Sequence, residues 1–104
     1  MYKLVFSKLF RMDVQSSFDY IKNRLKAQMA TDNLIREIME SLNRIKENPN
    51  IRPLVQDKHL ASLGYRLINV KNYIMFYIID NDNKHINVIR FLYNKTNWIN
   101  ILKE

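Results

Sequence analysis

The sequence has no cysteine, one glycine, two prolines and two histidines among its 104 residues. Without cysteine, the chain can form neither a disulfide nor a thiolate nucleophile nor a cysteine-based zinc site. One glycine is too few for a glycine-rich phosphate loop. His59 and His85 do not stand at a metal-ligand spacing, and the carboxylates are scattered. These shortages predict a protein without a metal centre and without a cofactor.

Long apolar segments are also missing. No run approaches the roughly 18 residues of a membrane-spanning helix, and the apolar start at residues 1–6 is too short for a secretory signal. Aromatic residues make up 12% of the chain, which is not typical of disordered or collagen-like proteins. The length fits one domain with its own core. We therefore expect a single domain over residues 1–104, cytoplasmic and not associated with a membrane.

Basic residues outnumber acidic ones by 17 to 10, which gives a formal charge of +7. The excess is shared between the two halves of the chain, without a basic tail or a long run of one sign. A folded surface with this charge attracts polyanions such as RNA, DNA or an acidic protein. The alternative is that the charge only keeps a small protein in solution. Composition leaves both interpretations open.

The first half of the sequence predicts a short strand followed by two amphipathic helices. Residues 2–6 alternate weakly, as in a strand, and Ser7 is suited to cap the helix that follows. Apolar residues then recur at helical spacing in two stripes. The stripes are Val14, Phe18, Ile21 and Leu25, and then Ile35, Ile38, Leu42 and Ile45. Residues 30–32 offer an N-cap for the second helix and Asn48-Pro49 ends it, which predicts a helical hairpin.

The second half changes to the pattern of β-strands. Residues 50–63 show no period and are predicted to form a loop. The predicted strands cover residues 65–70, 73–80 and 85–93. Because residues 73–79 are all apolar or aromatic, the middle strand is expected to be buried on both faces. Residues 96–102 form either a short helix or a strand-like segment. The order β-α-α-β-β-β predicts an α+β fold, with a helical hairpin packed on a mainly antiparallel sheet.

Several polar side chains stand out against these apolar strands. Arg66 and Arg90 lie in the middle of strands, where a charge must find a partner or reach solvent. Tyr93, Lys95 and Trp98 follow the last strand, where the core ends. Cationic side chains at these places can bind phosphate, and Tyr or Trp can stack on a base. The alternative is that the arginines extend to the sheet edge and Trp98 fills the core.

Four features, taken in order, resemble the RelE/ParE superfamily of bacterial toxins from type II toxin–antitoxin systems. They are residues 7–13 after the first strand, the hairpin ending at Asn48-Pro49, residues 64–70 followed by 72–77, and residues 88–93 leading into 94–98. The resemblance covers nearly the whole chain. It implies a toxin that arrests bacterial growth and is neutralised by a cognate antitoxin protein. It also implies that operator DNA is bound only through the toxin–antitoxin complex.

The superfamily has two activities. RelE-like members cut mRNA on the ribosome, whereas ParE-like members act on DNA gyrase. Cleaving members commonly have Arg after the tyrosine that starts the central strand, where this chain has Tyr73 followed by Ile74. Many ParE-like members end this region with a tryptophan, which Trp98 matches, although the Gly, Arg and Asp residues before it do not. The resemblance therefore favours a ParE-like toxin. A RelE-like endoribonuclease and an inactive homologue that survives as a binding module are the alternatives.

The nuclease alternative assigns roles to particular residues. Arg66 and Lys95 would stabilise the charge on the scissile phosphate, and Tyr93 would stack on or hydrogen-bond the RNA, so these three are the candidate catalytic residues. The candidate RNA-binding residues are Lys58, His59, Lys71, Arg90 and Trp98.

Overall fold

The chain folds into a four-stranded sheet with helices on both faces. The computed structural model describes residues 1–24 and 26–104. The strands are β1 (Lys3–Phe6), β2 (Tyr65–Val70), β3 (Tyr73–Asp80) and β4 (His85–Tyr93), and the helices are α1 (Lys8–Asp19), α2 (Gln28–Glu47), α3 (Lys58–Ser62) and α4 (Trp98–Lys103). A π-helical turn at Tyr20–Arg24 follows α1, and a 3-10 turn at Pro49–Ile51 follows α2. The predicted α+β class with a helical hairpin is confirmed.

The strand order in the sheet is β1-β4-β3-β2. The pairs β2–β3 and β3–β4 are antiparallel, and β1 is parallel to β4, so the predicted mainly antiparallel sheet is confirmed. Phe76 pairs with Arg90 while Tyr77 pairs with Val88, which leaves Ile89 as an extra residue in a β-bulge. The bulge switches the alternation of β4, so that Val88 and Phe91 both pack into the core beneath the hairpin.

The core has two parts, one on each face of the sheet. The hairpin packs on one face, where it covers Met75 and Tyr77 of β3. Helices α3 and α4 and the segment before α3 pack on the other face, where they cover Ile74 and Phe76. These four consecutive residues of β3 are buried, whereas Tyr73, Ile78 and Ile79 are half-buried. Burial of β3 on both faces follows from the helices that cover each face of the sheet.

Helix α1 begins where the sequence predicted, because Ser7 caps it. The Ser7 side-chain oxygen accepts a hydrogen bond from the Phe10 backbone N–H at 2.9 Å, and the same hydroxyl donates to the carbonyl of Ile89 at 2.6 Å. The first bond satisfies a donor that the helix leaves unpaired. The second joins the start of the helix to the extra residue of the β-bulge.

We expect Ser7→Ala to lower the free energy of unfolding by about 1–2 kcal/mol, because it removes both the N-cap and the bond to β4. Urea denaturation followed by circular dichroism measures this change. The control is Ser16→Ala on the same helix, whose side chain is exposed and whose effect should stay within about 0.5 kcal/mol. Equal effects of the two substitutions would contradict the capping role.

The hairpin differs from the prediction in two details. Helix α2 begins at Gln28, ahead of the predicted cap at residues 30–32, and the Thr31 hydroxyl bonds back to the Ala27 carbonyl instead of capping. Ile35 is 42% exposed, and Leu34 occupies the core position expected for it. Because α2 begins earlier than predicted, its buried face includes Thr31 and Leu34, and Ile35 lies at the margin of that face. Leu25, the last residue of the first predicted stripe, lies outside the described residues.

The prediction of a loop over residues 50–63 is wrong in its second half. Asp57 caps α3 by accepting a hydrogen bond from the Leu60 backbone N–H at 3.0 Å. Upstream of the helix, Leu54 forms a β-bridge with Arg66. A helix of five residues is too short to show a hydrophobic period, so the sequence pattern did not reveal it. The C-terminal segment, for which the sequence allowed either a helix or a strand-like segment, forms a helix at residues 98–103. Across residues 1–24 and 26–104, no helix has the length and apolar character that crossing a membrane requires.

Candidate functional site

The candidate catalytic residues Arg66 and Tyr93 lie toward opposite ends of the sheet. Arg66 pairs with Tyr77 near the start of β2, whereas Tyr93 pairs with Tyr73 at the end of β4, and Tyr73 pairs with Val70. Four residues at ~3.3 Å each and two strand spacings of ~4.8 Å give roughly 16 Å between the two Cα atoms. The structure therefore does not bring Arg66 and Tyr93 together.

Tyr93, Lys95 and Lys71 share one end of the sheet. Lys71 lies in the turn between β2 and β3, and Lys95 in the turn after β4. The two turns are joined by a hydrogen bond from the Asn94 backbone N–H to the Asn72 carbonyl at 2.8 Å. The Lys71 ammonium lies 4.0 Å from a carboxylate oxygen of Glu37, and both side chains are substantially exposed. Such a surface ion pair contributes little to stability, so Lys71 remains open to solvent.

A cleft of about 740 Å³ opens at this end, between the hairpin and the sheet. Tyr20 and Leu34 line it on the hairpin side, and Tyr73 and Tyr93 on the sheet side. The ring of Tyr73 stacks on Phe91 at 4.8 Å and meets Tyr93 edge-on at 5.9 Å. Tyr93 is 43% exposed. Because the lining is mainly apolar and aromatic, the cleft is suited to receive apolar side chains.

Arg90 forms an ion pair with Asp13 of α1 that joins the hairpin to the sheet. Its guanidinium donates two hydrogen bonds to the Asp13 carboxylate, at 2.7 and 3.1 Å. The Phe91 backbone N–H donates to the same carboxylate at 3.0 Å. The bond to Asp13 raises the pKa of Arg90, an effect that burial partly opposes. Two donors of Arg90 are thus engaged within the protein, and its contact with RNA stays a prediction.

The local fold explains why a carboxylate is needed there. β1 pairs with His85–Val88, and from Ile89 onward the same edge of β4 is bordered by α1. Ser7, the N-cap of α1, and Asp13 within α1 then bond the backbone groups that a longer strand would have paired. The Asp13 side chain therefore accepts a backbone hydrogen bond from β4 beyond the point where the pairing of β4 with β1 ends.

Three of the other candidate residues lie on or beside the short helices of the opposite face. Trp98 begins α4, and its ring lies 5.1 Å from that of Phe76, so it contributes to the core. Lys58 and His59 are exposed on α3. Asp57 holds α3 near α4 through Lys103 at 3.3 Å. The bond from the Leu60 backbone N–H lowers the pKa of Asp57, although burial opposes this.

Arg66 lies beside a second arginine at the outer edge of β2. Its guanidinium donates to the carbonyl of Arg52, and the Arg52 Nε donates to the carbonyl of Leu67 at 3.2 Å. On the same side of the sheet, the buried Tyr77 hydroxyl donates to the carbonyl of Pro49 at 3.1 Å. Burial raises the pKa of Tyr77, and the charge of Arg66 partly offsets this. The arrangement brings two cationic groups to one side of the sheet edge.

Sequence reasoning missed Asp13 and Arg52. Asp13 lies in the polar part of an amphipathic pattern, and Arg52 lies in a segment without any period. An arginine within an apolar strand does signal that its charge needs a partner or a path to solvent. Nothing in the sequence identifies which carboxylate it is. In the described part of the chain, no group of three or more His, Asp and Glu residues is arranged to hold a metal ion.

Solved structures of similar fold come from toxin–antitoxin systems. A chain of the chromosomal ParDE system from Pseudomonas aeruginosa superposes with a TM-score of 0.63 at 18% identity, over 89% of this chain and 96% of that one. The YoeB/ParE toxin from Agrobacterium tumefaciens gives 0.61 at 14%, over 88% and 96%. The RelBE2 toxin–antitoxin complex from Mycobacterium tuberculosis gives 0.58 at 16%, also over 88% and 96%. At these identities the likeness shows the fold alone.

The sequence itself gives the family. No curated protein matches the chain. The family described as the ParE toxin of the type II toxin–antitoxin system parDE does match, over residues 4–98. This span includes the hairpin, β1 from its second residue, the other three strands and the start of α4, and it agrees with the resemblance found in the sequence. The chain therefore belongs to the ParE toxin family of type II toxin–antitoxin systems.

Proposed function

We propose that this toxin inhibits bacterial growth by binding a protein target, DNA gyrase, and not by cutting RNA. The separation of Arg66 from Tyr93 carries the proposal. Cleavage of a phosphodiester needs acid–base groups and stabilising cations within about 3 Å of the same reacting atoms. Arg66 and Tyr93 of this chain lie roughly 16 Å apart between Cα atoms, a distance that favours binding over catalysis.

The remaining polar groups support the same conclusion. Arg90 is engaged with Asp13. The cleft beside Tyr93 presents aromatic and apolar side chains, which are enriched at the centres of protein interfaces. Lys71 and Lys95 lie at the same end of the sheet and add positive charge. Such a surface is suited to a protein partner with apolar and acidic side chains.

A cognate antitoxin is the second partner in this proposal. The similar chains from Pseudomonas aeruginosa and Mycobacterium tuberculosis come from a ParDE system and a toxin–antitoxin complex. The formal charge of +7 is complementary to an acidic antitoxin segment. We expect the antitoxin to be encoded beside this gene and to neutralise the toxin in the cytoplasm. Operator DNA would be bound only by the complex of the two.

Induction of the gene in a bacterium that lacks the antitoxin tests the proposed function. We expect growth arrest with a DNA-damage response and intact mRNA, and inhibition of gyrase supercoiling by the purified protein. Cuts at codon positions in translated mRNA, lost in Arg66→Ala and Lys95→Ala, would instead establish the RelE-like nuclease. Normal growth at good expression would contradict both toxic activities and leave the binding module. Protein levels on immunoblots are the control for each variant.

A further inference from the structure

The outer edge of β2 carries two arginines that the backbone holds side by side. The segment before α3 runs along this edge, where the Val55 backbone N–H donates to the Tyr65 carbonyl at 3.0 Å and Leu54 bridges to Arg66. Arg66 donates to the carbonyl of Arg52, and the Nε of Arg52 donates to the strand at Leu67. Both side chains are thus positioned by main-chain groups, and both residues are half-buried.

Neither arginine is neutralised by the residues that the structure describes. The ion pairs found there involve Lys71, Arg90 and Lys103, and no carboxylate lies within 4.0 Å of Arg52 or Arg66. A guanidinium has five N–H donors, and each of these two has one assigned bond to a carbonyl. The remaining donors are available to an anion. Neighbouring positive charges repel one another, so a bound anion would relieve the repulsion.

The surroundings favour an anionic protein segment over nucleic acid. Ile51 and Leu54 flank the arginines and are 44% and 45% exposed, so an incoming peptide would meet apolar surface beside the two cations. Tyr65 and Tyr77 of this end of the sheet are buried and are not open for base stacking, which contributes strongly to single-stranded nucleic-acid binding. β2 is also an edge strand of the sheet, and its residue Asn69, beyond Arg66 and Leu67, is exposed.

We propose that Arg52, Arg66, Ile51 and Leu54 form a docking site for an acidic segment of a partner protein. Carboxylates of the segment pair with the two guanidinium groups in the bidentate geometry that arginine favours. Apolar side chains of the segment pack on Ile51 and Leu54. The inference rests on the proposed function, because it names the surface by which the antitoxin is held. It does not depend on whether the toxin acts on gyrase.

A direct test uses a fluorescein-labelled peptide of alternating Glu and Leu, with a Gln–Leu peptide and an oligouridylate as comparisons. Binding to the full chain is measured by fluorescence anisotropy at physiological salt, where long-range attraction is screened. We expect the Glu–Leu peptide to bind, and Arg52→Gln/Arg66→Gln to weaken it roughly ten- to hundredfold, the size expected for two charge-assisted pairs. Lys3→Gln/Lys8→Gln removes two exposed charges near the opposite edge and should weaken it less than about threefold.

Two further measurements keep the test decisive if the Gln variant is unstable. Arg52→Lys/Arg66→Lys preserves charge but removes the planar fork, and we expect it to bind less tightly than the wild type. In the wild-type protein, the side-chain N–H resonances of Arg52 and Arg66 should move when the peptide is added. Unmoved resonances, equal losses in the Gln variant and the Lys control, or tighter binding of oligouridylate at these arginines would each overturn the proposal. Peptide binding by a chain that does not arrest growth would instead contradict the proposed function alone.

Discussion

Asp13→Ala should lower the free energy of unfolding by about 3 kcal/mol, because it removes one partner of a mostly buried ion pair. The side chains of Arg90 and Asp13 are 19% and 15% exposed, so the remaining guanidinium could not be fully solvated without moving. The substitution also leaves the Phe91 backbone N–H without its bond. Urea unfolding followed by circular dichroism measures the loss, which is a large share of the ~5–15 kcal/mol that stabilises a typical domain.

Two comparisons separate this effect from the loss of any surface carboxylate. Asp19→Ala removes an exposed carboxylate from the same helix and should change stability by less than about 0.5 kcal/mol. Asp13→Leu/Arg90→Met replaces both charges by apolar groups and should recover part of the stability lost in Asp13→Ala. If the double substitution lowers the free energy of unfolding by as much as Asp13→Leu and Arg90→Met do in sum, the two side chains do not act as a pair.

Phe76→Ala should be the most destabilising core substitution on the face opposite the hairpin, by about 3–5 kcal/mol. Phe76 is fully buried on β3, and its ring contacts that of Trp98. Its removal leaves a cavity between the sheet and α4 and takes away an aromatic contact that holds this helix. Chemical denaturation measures the stability. Trp98 is the only tryptophan in the sequence, so its emission should shift to longer wavelength as its environment becomes more polar.

Tyr93→Ala is the matched control for this second substitution. Tyr93 is aromatic and belongs to the neighbouring strand β4, but it is 43% exposed. Its truncation should cost less than about 1.5 kcal/mol and leave the Trp98 emission unchanged. A shifted emission in Tyr93→Ala, or an unshifted one in Phe76→Ala, would contradict the assignment of Trp98 to the core on this face.

The candidate functional residues lie on two separate surfaces of the fold. Arg66 and Tyr93 lie toward opposite ends of the sheet, roughly 16 Å apart between Cα atoms. The β2 edge presents cations beside apolar side chains, and the cleft presents aromatic side chains near Lys71 and Lys95. Each surface is suited to recognition. The roles predicted for Arg66, Lys95 and Tyr93 in RNA cleavage remain predictions for the growth and mRNA assays.

The local elements were largely predictable because their causes are local. Apolar spacing predicted the hairpin, Ser7 supplied its N-cap, and Asn48-Pro49 marked its end. The uninterrupted apolar run of β3 predicted a central strand buried on two faces. Helix α3 was missed because a helix of five residues is too short to show a period, although Asp57 caps it.

The sequence by itself determined the fold class, the family and the absence of cysteine chemistry. Tertiary structure alone decided which charges have partners. Asp13 and Arg90 are 77 positions apart, and they meet because α1 borders β4 where the pairing with β1 ends. Arg52 and Arg66 lie side by side because a segment without periodicity follows the edge of β2. The spacing of apolar residues and secondary-structure propensity depend on a few neighbouring residues. The partner of a charged side chain depends instead on strand order and register, which only packing of the whole chain establishes.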